Sequence, residues 1–217
     1  MFVNRFIYIF LVATLALQGK DFTIMLDPAG DAQHTGRIIN NTFERGVSLE
    51  CAKVLKEKIT AACPEIRVIL TRVPGETLQP LQNASFANRL DIDLYLGLYF
   101  YKEEEAIQQL SLYYYLANKT TDFWYKAEPL FFYPAHQAYL LNLHKTKKLG
   151  EQLLSVFQSP NSLPFFHVAG LVGIPFKPLI GITAPALSLE IGLQNSTDWN
   201  YIIEPIIIFI KQIQNDR

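Results

Sequence analysis

One carboxylate stands out by its surroundings. In Ala184-Pro185-Ala186-Leu187-Ser188-Leu189-Glu190-Ile191-Gly192-Leu193-Gln194-Asn195 a short apolar strand ends on Glu190, then turns at Gly192. A charge where a buried strand runs out is costly unless it has a partner or a task. Ligands of open α/β sheets bind in the crevice beyond the carboxyl ends of the strands. Glu190 is therefore the first catalytic candidate, and the alternative is an ordinary charged residue at a strand–loop junction. The histidines offer less. His136, His144 and His167 lack the H-x-x-x-H or H-E-x-x-H spacing that puts two metal ligands on one helical face, and they read as loop, surface or satisfied core residues. Cys51 falls within a predicted helix and Cys63 directly after its end, so a separation of roughly 18 Å exceeds the reach of a disulfide. Both read as small buried residues. The chain has no G-x-S-x-G elbow, no phosphate-binding G-x-x-x-x-G-K-[ST] loop and no G-x-G-x-x-G turn.

The elements that must position such a site fit one domain. The 217 residues are half hydrophobic and 18% charged, with a formal net charge of −1, so nothing in the charge balance favours nucleic acid or an anionic membrane surface. Residues 1–19 read as a signal peptide: a positive start at Arg5, an apolar run from Phe6 to Leu17, then polar residues. Export to the periplasm or the cell exterior follows. The run from Ile202 to Ile210 is interrupted by Glu204-Pro205 and reads as a packed helix rather than a membrane span. No membrane span is expected in the mature chain.

From residue 20 to 217 strands and helices alternate. Phe22 to Leu26 reads as a strand ending at Asp27-Pro28-Ala29-Gly30, and residues 31–42 as a polar loop. Glu44 to Ala62 carries a helical stripe, followed by a strand at Ile66 to Leu70. A helix ending at Leu90 precedes strands at Asp93 to Tyr101 and Leu110 to Ala117. Tyr113-Tyr114-Tyr115 alternates between two sheet faces. An aromatic and Pro-rich insertion occupies about 118–139. A helix at Leu140 to Phe157, a strand at Ala186 to Glu190 and a helix at Tyr201 to Ile213 complete the chain, with His167 in a loop. This order predicts an open, mostly parallel twisted sheet with helices on both faces.

The ordered motifs resemble those of the zinc-dependent N-acetylmuramoyl-L-alanine amidases, which cut stem peptides from peptidoglycan. The resemblance runs from about Phe22 to Ile210. A DPGHGG-like motif aligns with Asp27-Pro28-Ala29-Gly30-Asp31-Ala32, and an acid at the start of the first helix with Glu44. A strand ends in Thr71-Arg72, and an AN pair matches Ala87-Asn88. An S-I-H-x-N motif aligns with Gly97-Leu98-Tyr99-Phe100-Tyr101, and P-x-L-x-E-x-G-F-x-x-N with Pro185 to Asn195.

The resemblance implies hydrolysis of the amide between the muramoyl lactyl group and L-alanine by a metal-activated water. Zn²⁺ would rest on two imidazoles and a carboxylate, with a free glutamate as base. Glu44 is then the carboxylate ligand and Glu190 the base. Gly30 and Tyr99 stand at the two histidine positions, so the usual imidazoles are missing there. His34, four residues beyond the first, is either a displaced ligand, completed by Tyr99 as phenolate, or a loop histidine. Three readings remain: an amidase carrying zinc, a catalytically impaired relative that binds wall fragments or a partner without it, or an exported structural protein whose resemblance reflects only a common α/β architecture. The expected partners are stem peptides or muropeptides.

Overall fold

The computed structural model describes residues 22–79, 81–105, 107–117 and 134–215. The stretch read as a signal peptide and most of the aromatic insertion lie outside them. Eight strands are present: β1 Phe22–Pro28, β2 Ile38–Ile39, β3 Thr42–Phe43, β4 Ile66–Leu70, β5 Leu94–Lys102, β6 Gln108–Tyr115, β7 Phe166–Ile174 and β8 Ala186–Leu193. The α-helices are α1 Glu44–Ala62, α2 Gln82–Leu90, α3 Leu143–Phe157 and α4 Ile203–Asn215. Six strands form one sheet in the order β4-β1-β5-β8-β6-β7, and β2 and β3 form a small hairpin. All main-sheet pairs are parallel except β6 with β8. The expected α/β architecture is the one observed.

The central strands are apolar on both sides because both faces of the sheet are covered. All seven residues of β1 are buried. On one face Val47, Cys51, Leu55 and Ile59 of α1, Leu149 and Leu153 of α3, and Ile206, Phe209 and Ile210 of α4 pack on alternate strand residues such as Leu96, Leu98 and Leu189. The other face holds Met25, Tyr95, Tyr115 and Ala186 against Ala84 and Ala87 of α2 and Leu179 and Ile182 of the loop before β8.

Three readings of the sequence need correction. His167 lies not in a loop but on β7, an edge strand. Gly170 and Gly173 interrupt its apolar pattern, and Gly170 (φ +124°) sits where the pairing with β6 slips by a residue. Second, β8 does not end on Glu190: it continues through Gly192 to Leu193. Gly192 leaves room instead of turning the chain, since a Cβ there would lie 2.6 Å from Glu103 Oε2 and 2.9 Å from the Tyr101 ring. Third, residues 31–42 are not all loop, because the β2–β3 hairpin begins within them at Ile38 and ends at Phe43. The terminal helix is also divided, a 3-10 turn at Asp198–Ile202 leading into α4. Pro205 sits in α4's first turn, where no intrahelical N–H bond is lost. No helix among the described residues is long and apolar enough to cross a membrane.

Candidate functional site

The site forms where β1 ends and α1 begins, beside the C-terminal halves of β5 and β8. Glu44 is the first residue of α1, where a carboxylate also complements the positive end of the helix dipole. The residue is only 3% exposed. Oε1 accepts a hydrogen bond from Phe100 N at 2.8 Å, and Oε2 accepts one from Arg37 N at 3.0 Å. On β8, Glu190 stands opposite Tyr99 of β5 and Ser111 of β6.

Glu44 and Glu190 are joined by a residue that sequence reasoning missed. The Arg37 guanidinium donates from Nε to Glu44 Oε2 at 3.3 Å, from Nη2 to Glu44 Oε1 at 3.5 Å, and from Nη1 to Glu190 Oε1 at 2.7 Å. The Tyr113 hydroxyl donates to the other Glu190 oxygen at 3.0 Å. The Tyr101 ring lies against the guanidinium, 5.4 Å from its carbon. The only signal for Arg37 was an arginine in a polar loop seven residues before Glu44. Two carboxylates brought together at a strand end need a cation, and that need would have pointed to it.

Gly30 and Tyr99, which the resemblance aligns with two histidines, are each fixed by their surroundings. Gly30 (φ +73°) is in the left-handed region, and a Cβ there would lie 2.9 Å from both Arg45 Cβ and His34 O. A histidine does not fit this turn without a shift of the backbone. Tyr99 lies across Gly97, its Cε2 3.0 Å from where a Gly97 Cβ would be, and meets Phe176 edge to face at 5.1 Å. Burial pushes the Tyr99 phenol well above 10, and Asp27 and Glu44 push the same way, so it stays neutral and is unsuited to act as a phenolate ligand. His34 is swung outward. Its side chain is 76% exposed, and Nδ1 lies 3.1 Å from Asp31 Oδ1. Among the described residues no hydrogen bond or ion pair joins it to Glu44 or Glu190. His136 lies in the 3-10 turn Ala135–Leu141 and His144 on α3; Asn142 between them donates to Thr183 O, ahead of β8.

The remaining motif residues brace the loops. Thr71 Oγ1 and Asn83 Nδ2 donate to Asp27 Oδ1 at 2.7 and 2.9 Å. Arg72 donates to the carbonyls of Pro28, Ala29 and Arg45, tying the end of β1 to the start of α1. Asn88 accepts from Thr183 N and donates to Gly181 O, which fixes the approach to β8. Two buried acids here respond in opposite ways. Burial raises the Asp27 carboxyl above its usual value, against the hydrogen bond from Thr71. Burial also pushes Asp31 upward, but hydrogen bonds from His34, Leu78 and Gln33 outweigh it and hold Asp31 below its usual value.

This sheet order and element sequence have solved counterparts. The catalytic domain of CwlV, an N-acetylmuramoyl-L-alanine amidase from Bacillus (Paenibacillus) polymyxa var. colistinus, superposes with a TM-score of 0.65 at 17% identity, over 90% of this chain and 99% of that one. The fold is that of the amidase catalytic domains. The CwlD amidase from Clostridioides difficile, solved in complex with the GerS lipoprotein, gives 0.64 at 16% identity over 90% and 100% of the two chains. An N-acetylmuramoyl-L-alanine amidase from Clostridium difficile 630 gives 0.62 at 17%, over 92% and 100%. No family model matches the sequence, and no curated protein matches it.

Within this amidase fold the residues present do not fit a zinc centre. A catalytic zinc site usually takes three protein ligands and leaves a position for water. Here the Glu44 oxygens face backbone N–H groups and a guanidinium, and Arg37 fills the gap between Glu44 and Glu190 with a fixed positive charge. Among the described residues no group of three His, Cys, Asp or Glu side chains converges on one point. Both Glu190 oxygens are also engaged, by Arg37 and by Tyr113.

Proposed function

We propose that this chain is an exported, amidase-fold protein that binds peptidoglycan fragments without zinc and without cutting them. One observation carries the reading: the Arg37 guanidinium bridges Glu44 and Glu190, the residues assigned by resemblance as metal ligand and base. A cation covalently part of the chain satisfies the carboxylates but offers no exchangeable position for water. The fold supports this location, since Glu190 and Tyr99 lie in the C-terminal halves of β8 and β5, towards the end at which open α/β sheets bind ligands. The aromatic rings of Tyr101, Tyr113 and Phe176 around Arg37 and Glu190 supply surfaces on which a sugar or peptide can stack. The neighbour solved with a lipoprotein makes a protein partner the second reading for the same fold.

Metal analysis of protein purified without chelator, together with a sacculus pull-down and a stem-peptide release assay, tests this. The expected result is substoichiometric zinc, co-sedimentation with sacculi and no released peptide. Stoichiometric zinc that disappears in Glu44→Ala, or peptide release by the wild type, would return the chain to the zinc amidases.

A further inference from the structure

Arg37 retains donors that nothing in the described structure uses. A guanidinium carries five N–H bonds in a fixed planar fork. Three are engaged: Nε–H and one Nη2–H on Glu44, and one Nη1–H on Glu190. Among the described residues no other acceptor meets this side chain, so one N–H on Nη1 and one on Nη2 are left. The side chain is 44% exposed, which leaves them within reach of a ligand.

The surroundings limit what such a ligand can be. Two carboxylates flank one guanidinium, so the cluster is negative by one charge before anything binds. A ligand carboxylate would bring a third negative charge close to Glu190 and Glu44 and be repelled. An uncharged carbonyl gains the same hydrogen bonds without that repulsion. Tyr101 backs the guanidinium, and Tyr113 and Phe176, with ring centroids 5.8 Å apart, extend the aromatic surface beside it. A flat amide group suits such a wall.

We propose that Arg37 receives the carbonyl oxygen of an uncharged amide on its two remaining N–H groups, with Glu44 and Glu190 as positioning residues that fix the plane of the fork. This rests on the reading of the site as a metal-free binding site. Its specificity is for an amide over a free acid at the same place in the ligand.

Two synthetic probes separate these chemistries. N-acetylmuramoyl-L-alaninamide is neutral, and N-acetylmuramic acid ends its lactyl arm in a carboxylate. Both are titrated into the full wild-type chain by calorimetry, with the arginine side-chain N–H resonances followed by NMR. The amide is expected to bind about tenfold tighter than the acid and about tenfold tighter to wild type than to Arg37→Lys, which keeps the charge but loses the planar fork. It should also shift the Arg37 side-chain resonances in the wild type, a readout that needs no variant. Equal binding of the acid, binding unaffected by Arg37→Lys, unmoved Arg37 signals or no binding of the amide would each overturn the proposal. Zinc content of the same preparation decides the underlying reading separately. A zinc-free protein that ignores the amide fails this inference alone, whereas stoichiometric zinc removes the reading beneath it.

Discussion

Arg37 and Glu190 lie 153 positions apart in the chain and meet at 2.7 Å. The contact pins the β2–β3 hairpin region to the middle of β8. It also gives buried Glu44 its only side-chain countercharge among the described residues.

Removing that charge tests how much the triad holds. Arg37→Ala leaves Glu44 with its two backbone donors but no cation. Breaking a buried pair is costly, and the partial exposure of Arg37 lowers the cost, so about 1–3 kcal/mol of stability should be lost. Urea denaturation measures it. Adding Glu44→Gln to Arg37→Ala should recover part of the loss, because the uncompensated buried charge is then gone. A single variant as stable as wild type would mean that the bridge is not structural.

Gly36 is a second point of strain. Its φ is +71°, and a Cβ would lie 2.7 Å from Glu44 Oε2 and 2.8 Å from Glu44 Cβ. Gly36→Ala must therefore move the loop or the Glu44 carboxylate. The expected loss is about 1–3 kcal/mol, read as a lower urea midpoint. Gly75, also at positive φ (+86°) but with nothing within 4 Å of its Cβ position, provides the control. Gly75→Ala should cost less, since it meets backbone strain alone.

Asp27 near the end of β1 and Asp31 just after it predict opposite pH dependences. Asp27 has a folded pKa above 3.8, so the folded state holds its proton longer than the unfolded one. Its contribution favours the fold below that pH and is lost as the pH rises. The stability of Asp27→Asn relative to wild type should therefore improve from acid towards neutral pH. Asp31 has a folded pKa below 3.8, so its contribution is present above that value and lost as the pH falls. The deficit of Asp31→Asn should be largest near neutral pH and shrink in acid. Denaturation series on both variants check this, and parallel trends would contradict it.

The cysteines make a simpler prediction. Cys51 is fully buried and Cys63 is 2% exposed, both as free thiols. Burial raises both above the usual thiol range. A thiol reagent should therefore label neither in the native protein at neutral pH and both after unfolding. Rapid native labelling of Cys51 would show that α1 does not pack as described.

Much of the fold was legible because its causes are local. The apolar runs of β1, β4, β5 and β8, and the stripe of α1, follow from burial on both faces of the sheet and need no long-range information. β7 escaped because an edge strand is half exposed, and Gly170 and Gly173 break its alternation. The end of β8 was misplaced because a glycine was taken for a turn. Gly192 in fact makes space for the Tyr101 ring of β5 and for Glu103 just beyond that strand.

The sequence by itself determined the α/β architecture and the order of its motifs, and it offered Glu190, by its place on an apolar strand, and Glu44, by resemblance, as candidates. Those depend on hydrophobic pattern and residue type, which the chain carries position by position. Only the tertiary structure decided what stands between the two carboxylates. Arg37 reaches Glu190 because the hairpin loop folds over the sheet end, and His34 turns outward because Asp31 and the Gly30 turn hold it there. An ion pair between residues 153 apart leaves no periodicity or spacing in the sequence. Here that pair ties Glu190 to the same guanidinium that meets Glu44, a link that no local pattern announces.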